Sequence, residues 1–234
     1  MLDQEQRLIE IHSLLVAPVS VNAPAPYREG ELSLGLEIIA IPTIDGTSGG
    51  KREITASDRT PVFPRLRLAL GLPAPADFRA FVGIGYIPPF QIRQVSSHLG
   101  ALEAGIAYAP GPLAVGLRAH FLLARSMSPV TDPDTRDTLD DVEFGANVAA
   151  GYQFDFASFA VTPYVGVGVT RVNGDFNVTS DNHDLSSHTT NLGLSAGVRL
   201  FTLKHLEGVA ELEVFPGRLV HPSFRLAYVF ELWR

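Results

Sequence analysis

The sequence predicts an all-β fold: a transmembrane, antiparallel, up-and-down β-barrel of about ten strands (8–10), preceded by a short N-terminal helix. Three observations carry this. Side chains alternate with a period of two over most of the chain, as in "VEFGANVAAGYQF" (142–154), where Val142, Phe144, Ala146 and Val148 fall on one face and Glu143, Gly145 and Asn147 on the other. Short connections such as "PGP" (110–112) alternate with longer polar ones such as "SMSPVTDPDTRDTLDD" (126–141). The face opposite the apolar one is glycine and alanine punctuated by single charges, not the Lys, Glu, Thr and Ser of a water-facing sheet.

In chain order, "DQEQRLIEIHSLLV" (3–16) reads as a helix. Asp3 is placed to cap it, Gln6 stands at capping-box spacing, and Leu8, Ile11 and Leu15 share a face. "APVSVNAPAPYREG" (17–30) is Pro-rich and must be extended or irregular. Residues 1–29 therefore read as an amphipathic helix with a Pro-rich segment, and 30–234 as the barrel. Ten strands are expected at about 31–42, 62–72, 78–88, 98–109, 113–125, 142–154, 159–171, 190–201, 206–215 and 223–233. Links 73–77, 110–112, 155–158 and 202–205 are short. Links 43–60, 126–141 and 172–187 are long, with medium ones at 89–97 and 216–222.

The apolar face (Leu34, Leu36; Leu66, Leu68; Val82, Ile84; Leu102, Ile106; Leu117, Phe121; Val165, Val167; Leu192, Leu194; Leu226, Tyr228) is uninterrupted by charge. The other face carries Glu37, Arg65, Arg67, Arg79, Glu103, Arg118, Glu143, Arg199, Glu211, Glu213, Arg225 and Glu231, six of each sign, among many glycines. Glycine in a strand costs about 0.5–1 kcal/mol, so it needs a reason, and a narrow lumen crowded by long Arg and Glu chains supplies one. The apolar face meets lipid, and these twelve residues form a lumen charge network that pairs internally. Phe63, Phe81, Leu122, Tyr164 and Phe201 are expected to point into the same space.

Composition agrees. The net charge of −7 argues against nucleic acid. No cysteine is present, so there is no disulfide framework. Only Lys51 and Lys204 are lysine, too few for a fully solvated surface. No apolar run reaches the roughly 18 residues of a transmembrane helix. "MLDQEQRLIE" lacks the pattern of a signal peptide, so if the protein is exported this chain is its mature form with an added Met.

Over residues 31–233 the pattern resembles the outer-membrane β-barrel proteins of Gram-negative bacteria, one of the few architectures that satisfies every backbone group in lipid. The resemblance implies an outer-membrane location, with outer-membrane lipid and lipopolysaccharide as surroundings. The helical stripe of Leu8, Ile11 and Leu15 offers a site for a periplasmic or envelope protein partner, or a stopper for the barrel mouth. The expected function is a small non-enzymatic barrel with a narrow or plugged charged lumen, an envelope anchor or narrow channel, with no catalytic residue, metal or cofactor. Two other classes compete: an outer-membrane hydrolase, and a soluble lipocalin-like ligand-binding barrel. Asp181-Asn182-His183 and Asp132-Pro133-Asp134 resemble in spacing the Asp-x-His and Asp-x-Asp pairs of the omptin endopeptidases, which would make His183 with Asp181 the base. The Asp pair follows the fifth strand here, not the third as in that family, and the strands read as too short to raise a cleft above the membrane. "DGTSGGKRE" is no phosphate loop, because Asp45 and Arg52 replace its Gly and Ser/Thr. Asp132, Asp134, Asp140 and Glu143 have calcium-loop spacing, but Arg136 and Asp137 stand where a ligand and a Gly are required. His120 shares the lumen face with Arg118. The Ser96-Ser97-His98 and Ser187-His188 runs would serve a lipid hydrolase only if Ser and His met on the lipid-facing wall.

Overall fold

The computed structural model describes residues 22–40, 62–92, 95–128, 137–178, 183–202, 205–217 and 219–232. Its strands are β1 (Glu31–Ala40), β2 (Val62–Leu72), β3 (Phe78–Ile92), β4 (Val95–Tyr108), β5 (Leu113–Ser128), β6 (Asp137–Tyr152), β7 (Phe154–Asp155), β8 (Phe159–Val178), β9 (His183–Thr202), β10 (Leu206–Phe215) and β11 (Leu219–Glu231). β6 and the two-residue β7 both pair with β8, so they form one stave broken at Gln153. β1 pairs antiparallel with β11, and β6 with β8, which closes a ten-stave barrel with no free edge between neighbours. The predicted helix 3–16 lies outside the described residues.

Period-two alternation decides which side chains face lipid. Leu34, Leu66, Ile84, Leu102, Leu117, Phe144, Val165, Leu192 and Leu226 are all exposed on the outer wall, while Glu37, Arg65, Leu122 and Arg225 are buried within. Outward rings gather at the end where the N-terminal segment enters: Phe78 with Tyr108 (5.2 Å between centroids), Tyr152 with Phe154 (4.9 Å), Phe156 with Phe159 (4.7 Å) and Tyr228 with Phe230 (4.7 Å). Such rings settle at a membrane interface, and the short turns 73–77, 109–112, 156–158 and 203–205 mark this end as the periplasmic one. Replacing Val165, 61 % exposed in the middle of the β8 band, with Arg is expected to cost about 2–4 kcal/mol in refolding into lipid vesicles. Asn177→Arg, higher on the same outer face, is expected to change little.

The strands are longer at the outer end than the sequence predicts. β8 and β9 each run 20 residues, about twice the 9–11 that span a bilayer. The expected links 89–97, 126–141 and 172–187 shrink to 93–94, 129–136 and 179–182. The β3–β4 link is thus shorter than several periplasmic turns, and the strict alternation of long and short links does not hold there. The reason is physical: above the membrane the outward side chains meet water, so the ladder continues without an apolar outward set while Leu139, Phe176 and Leu185 pack inside. The expectation that the strands stop at the membrane is corrected accordingly. On β3 the ladder slips between Ile87 and Phe90, where Pro88 and Pro89 supply no N–H.

Candidate functional site

The lumen is built around two groups of charges. In the first, Arg65 Nη2 lies 2.5 Å from Glu37 Oε1, and Arg67 Nη1 lies 3.7 Å from Glu37 Oε2. Arg67 also grips Glu103 with both its Nε and Nη2, and Arg118 Nε reaches Glu103 Oε2 at 2.9 Å. Arg67 stands on β2 and Glu103 on β4, so this pair must pass across β3. It does so over glycine: a Cβ on Gly83 would come within 2.5 Å of the Glu103 carboxylate, and one on Gly85 within 3.3 Å of Arg65 Cδ. Gly145 makes the same allowance for the His120 ring. The glycines are there for space.

The second group centres on Glu207, which the sequence reading left out. Arg199 Nε lies 2.6 Å from its Oε1 and Arg225 Nη2 2.9 Å from the same atom. The hydroxyls of Ser33 and Tyr27 approach Oε2 at 3.4 Å. Glu207 is fully buried. Its parity with Glu211 and Glu213 was the available signal.

Residues 22–30 lie inside the periplasmic mouth. Asn22 Oδ1 accepts a hydrogen bond from Arg225 Nη2 (2.6 Å), and Tyr27, 1 % exposed, packs edge-on against Phe81. Ala23 touches Tyr164 and Val209. Gly71 and Gly116 leave room for the carbonyls of Arg28 and Pro24, which a Cβ at either position would strike. Gly30, at φ 77°, turns the segment into the wall, donating to the Gly71 carbonyl and accepting from Leu232 N–H.

The remaining sequence candidates divide. Tyr164 donates to Glu211 at 2.7 Å. Glu143 is fully buried, and no described group hydrogen-bonds its carboxylate. Glu213 stands beside Gly193. Pairing is shared: Glu37, Glu103 and Glu207 each serve two arginines. Arg79 and Glu231 keep the inward parity but sit at the periplasmic rim, where Arg79 donates to the Phe78 carbonyl and Glu231 is exposed opposite Glu31. Phe81, Leu122 and Tyr164 are buried as expected, Phe201 is half-buried under Arg199, and the Phe63 side chain lies outside the described residues.

The enzyme-like motifs are not assembled among the described residues. Ser97 points inward to the Ser126 hydroxyl (2.9 Å) while His98 is exposed, and Ser187 is buried while His188 faces out to Asn173. Adjacent strand residues face opposite sides of the wall, so neither Ser97 with His98 nor Ser187 with His188 makes a nucleophile–base pair, while Ser96 shares the outer face with His98. Asp140 and Glu143 are separated the same way, with Asp140 outside on Arg125 and Glu143 inside. Asp45, Arg52, Asp132, Asp134 and Asp181 lie outside the described residues, as does the His183 side chain. No group of His, Asp and Glu fit to hold a metal occurs among the described residues.

A family model for the outer membrane protein beta-barrel domain matches residues 90–215, just over half of the chain. The chain belongs to this family. With a closed barrel, an apolar outer wall and an aromatic girdle, this outer-membrane β-barrel protein sits in the outer membrane of a Gram-negative bacterium. No curated protein matches its sequence. Among solved structures, the translocator domain of the autotransporter NalP from Neisseria meningitidis is 9 % identical with a TM-score of 0.52, covering 98 % of this chain and 95 % of that one. The N-terminal β-barrel domain of Pseudomonas aeruginosa OprF is 11 % identical with a TM-score of 0.33, covering 87 % and 100 %. Ail of Yersinia pestis is 13 % identical with a TM-score of 0.36, covering 86 % and 99 %.

Proposed function

We propose that this outer-membrane barrel is a closed, non-enzymatic anchor of the envelope, with residues 1–29 as a periplasmic segment whose end stoppers the barrel, and not a solute channel. The observation that carries the reading is how the lumen is filled. The Arg67–Glu103 pair bridges the space over β3, and Asn22 to Gly30 occupy the periplasmic mouth. The cavity beside Arg65, Arg67, Glu103 and Arg118 measures about 10 Å³, room for about one water molecule. A barrel of ten strands lies near the eight-stranded limit that side chains just fill, well short of the sixteen or so of porins. Separating the charges to open a path would leave them uncompensated in a poorly hydrated space, which costs several kcal/mol.

The test is electrical. Inserted in a planar bilayer, the protein is expected to give no stable conductance of porin size. Steady openings that pass sugars would replace this reading with a general porin.

A further inference from the structure

Charge on the outer wall is confined to one sector. The described outward positions of β1, β2, β3, β10 and β11 carry none. Those of β4 to β9 carry His98, Arg125, Asp140, Arg171, Asp175, Asp184 and His188, all toward the outer end. Most are satisfied by wall neighbours. Arg125 binds Asp140 through two bonds of 2.5 and 2.8 Å, Ser186 donates to Asp175, Asn177 donates to Asp184, and His188 meets Asn173. Arg171 differs: it is exposed, and no described group bonds its guanidinium or pairs with its charge.

Its position says what such a cation meets. Arg171 ends the outward valine run Val165, Val167, Val169 on β8, so it stands where the apolar band gives way to headgroups. Across the ladder it faces exposed Phe144 on β6 and the exposed Thr190 on β9. The outward acids Asp140 and Asp175 lie further out and are already engaged. An arginine at that depth extends its head toward the interface, and its planar fork matches two phosphate oxygens. We propose that Arg171, with the Thr190 hydroxyl beside it, binds a phosphate on the headgroup of a phosphorylated glycolipid of the outer leaflet. This site lies on the outer wall and is independent of whether the lumen conducts.

Native mass spectrometry of the folded, detergent-held protein tests it, with bis-phosphorylated lipid A and its dephosphorylated form as probes. The wild type is expected to retain the phosphorylated form about tenfold better, the scale of one charge-assisted contact. Arg171→Gln is expected to bring that ratio near one, and Arg171→Lys, which keeps the charge without the fork, to fall between. The mobility difference between unheated and boiled samples shows that each variant is folded. An unchanged ratio in folded Arg171→Gln would overturn the proposal. So would equal retention of both probes by the wild type, or displacement of the lipid by equimolar inorganic phosphate, which would mark a site for a free anion.

Discussion

Glu207→Gln is expected to destabilise the barrel by about 3–5 kcal/mol, because it removes one negative charge from between two buried arginines. Arg199 is 7 % exposed and Arg225 1 %, so neither can turn to bulk water when its partner goes neutral. Both point at the same atom, Oε1, at 2.6 and 2.9 Å, and the loss falls on two ion pairs at once. The amide keeps the shape of the carboxylate, so the change reports charge and not a cavity. It also turns an NH2 donor toward guanidinium donors if the Oε1 position becomes nitrogen. The readout is the midpoint of the unheated-to-boiled mobility shift, or urea unfolding in lipid vesicles. Asp140→Asn removes the partner of Arg125 in an exposed pair, which water screens, and is expected to shift the midpoint little. Equal effects for the two variants would mean that the lumen around Glu207 is hydrated like a surface.

How much of this was legible depended on where alternation has a physical cause. Inside the membrane one face meets hydrocarbon and the other a crowded polar interior, so parity alone assigned Leu34, Phe144 and Val165 outward and Glu37, Arg65, Arg118 and Arg225 inward. Above the membrane that cause disappears. "NGDFNV" (173–178) and "HDLSS" (183–187) read as loop because their outward positions are polar, yet they form upper parts of β8 and β9, with Phe176 and Leu185 packed inside. Glu207 stands second in β10, inside the predicted strand 206–215 and on the parity of Glu211 and Glu213, so its place among the lumen charges was equally legible. The contacts of Asn22 and Tyr27 had no local signature at all. Their partners lie 203 and 180 residues along the chain, and a Pro-rich segment has no period to reveal a face.

Deleting residues 2–28 is expected to leave a barrel that folds and leaks small ions, without passing sugars. Every strand pairing that closes the wall lies within residues 31–231, and Gly30, which ties β1 to Gly71 and Leu232, is retained. What the deletion removes is the stopper: the Asn22 bond to Arg225 and the Tyr27 ring packed on Phe81 and Ala69. Water then reaches Glu207, Arg199 and Arg225 from the periplasmic side. Further up, the Arg67–Glu103 pair still spans β3 over Gly83, with Arg65, Glu37 and Arg118 joined to it, so the widened mouth leads only to a narrow polar constriction. Gly71→Val evicts the same segment without shortening the chain. Its Cβ would fall on the Arg28 carbonyl, a backbone atom that cannot rotate aside, so the segment must leave its seat. The two variants are expected to give matching small conductances where the wild type gives none. A deletion that cannot fold would make residues 22–28 part of the core. Folded variants as silent as the wild type would place the seal entirely at the Arg67–Glu103 level.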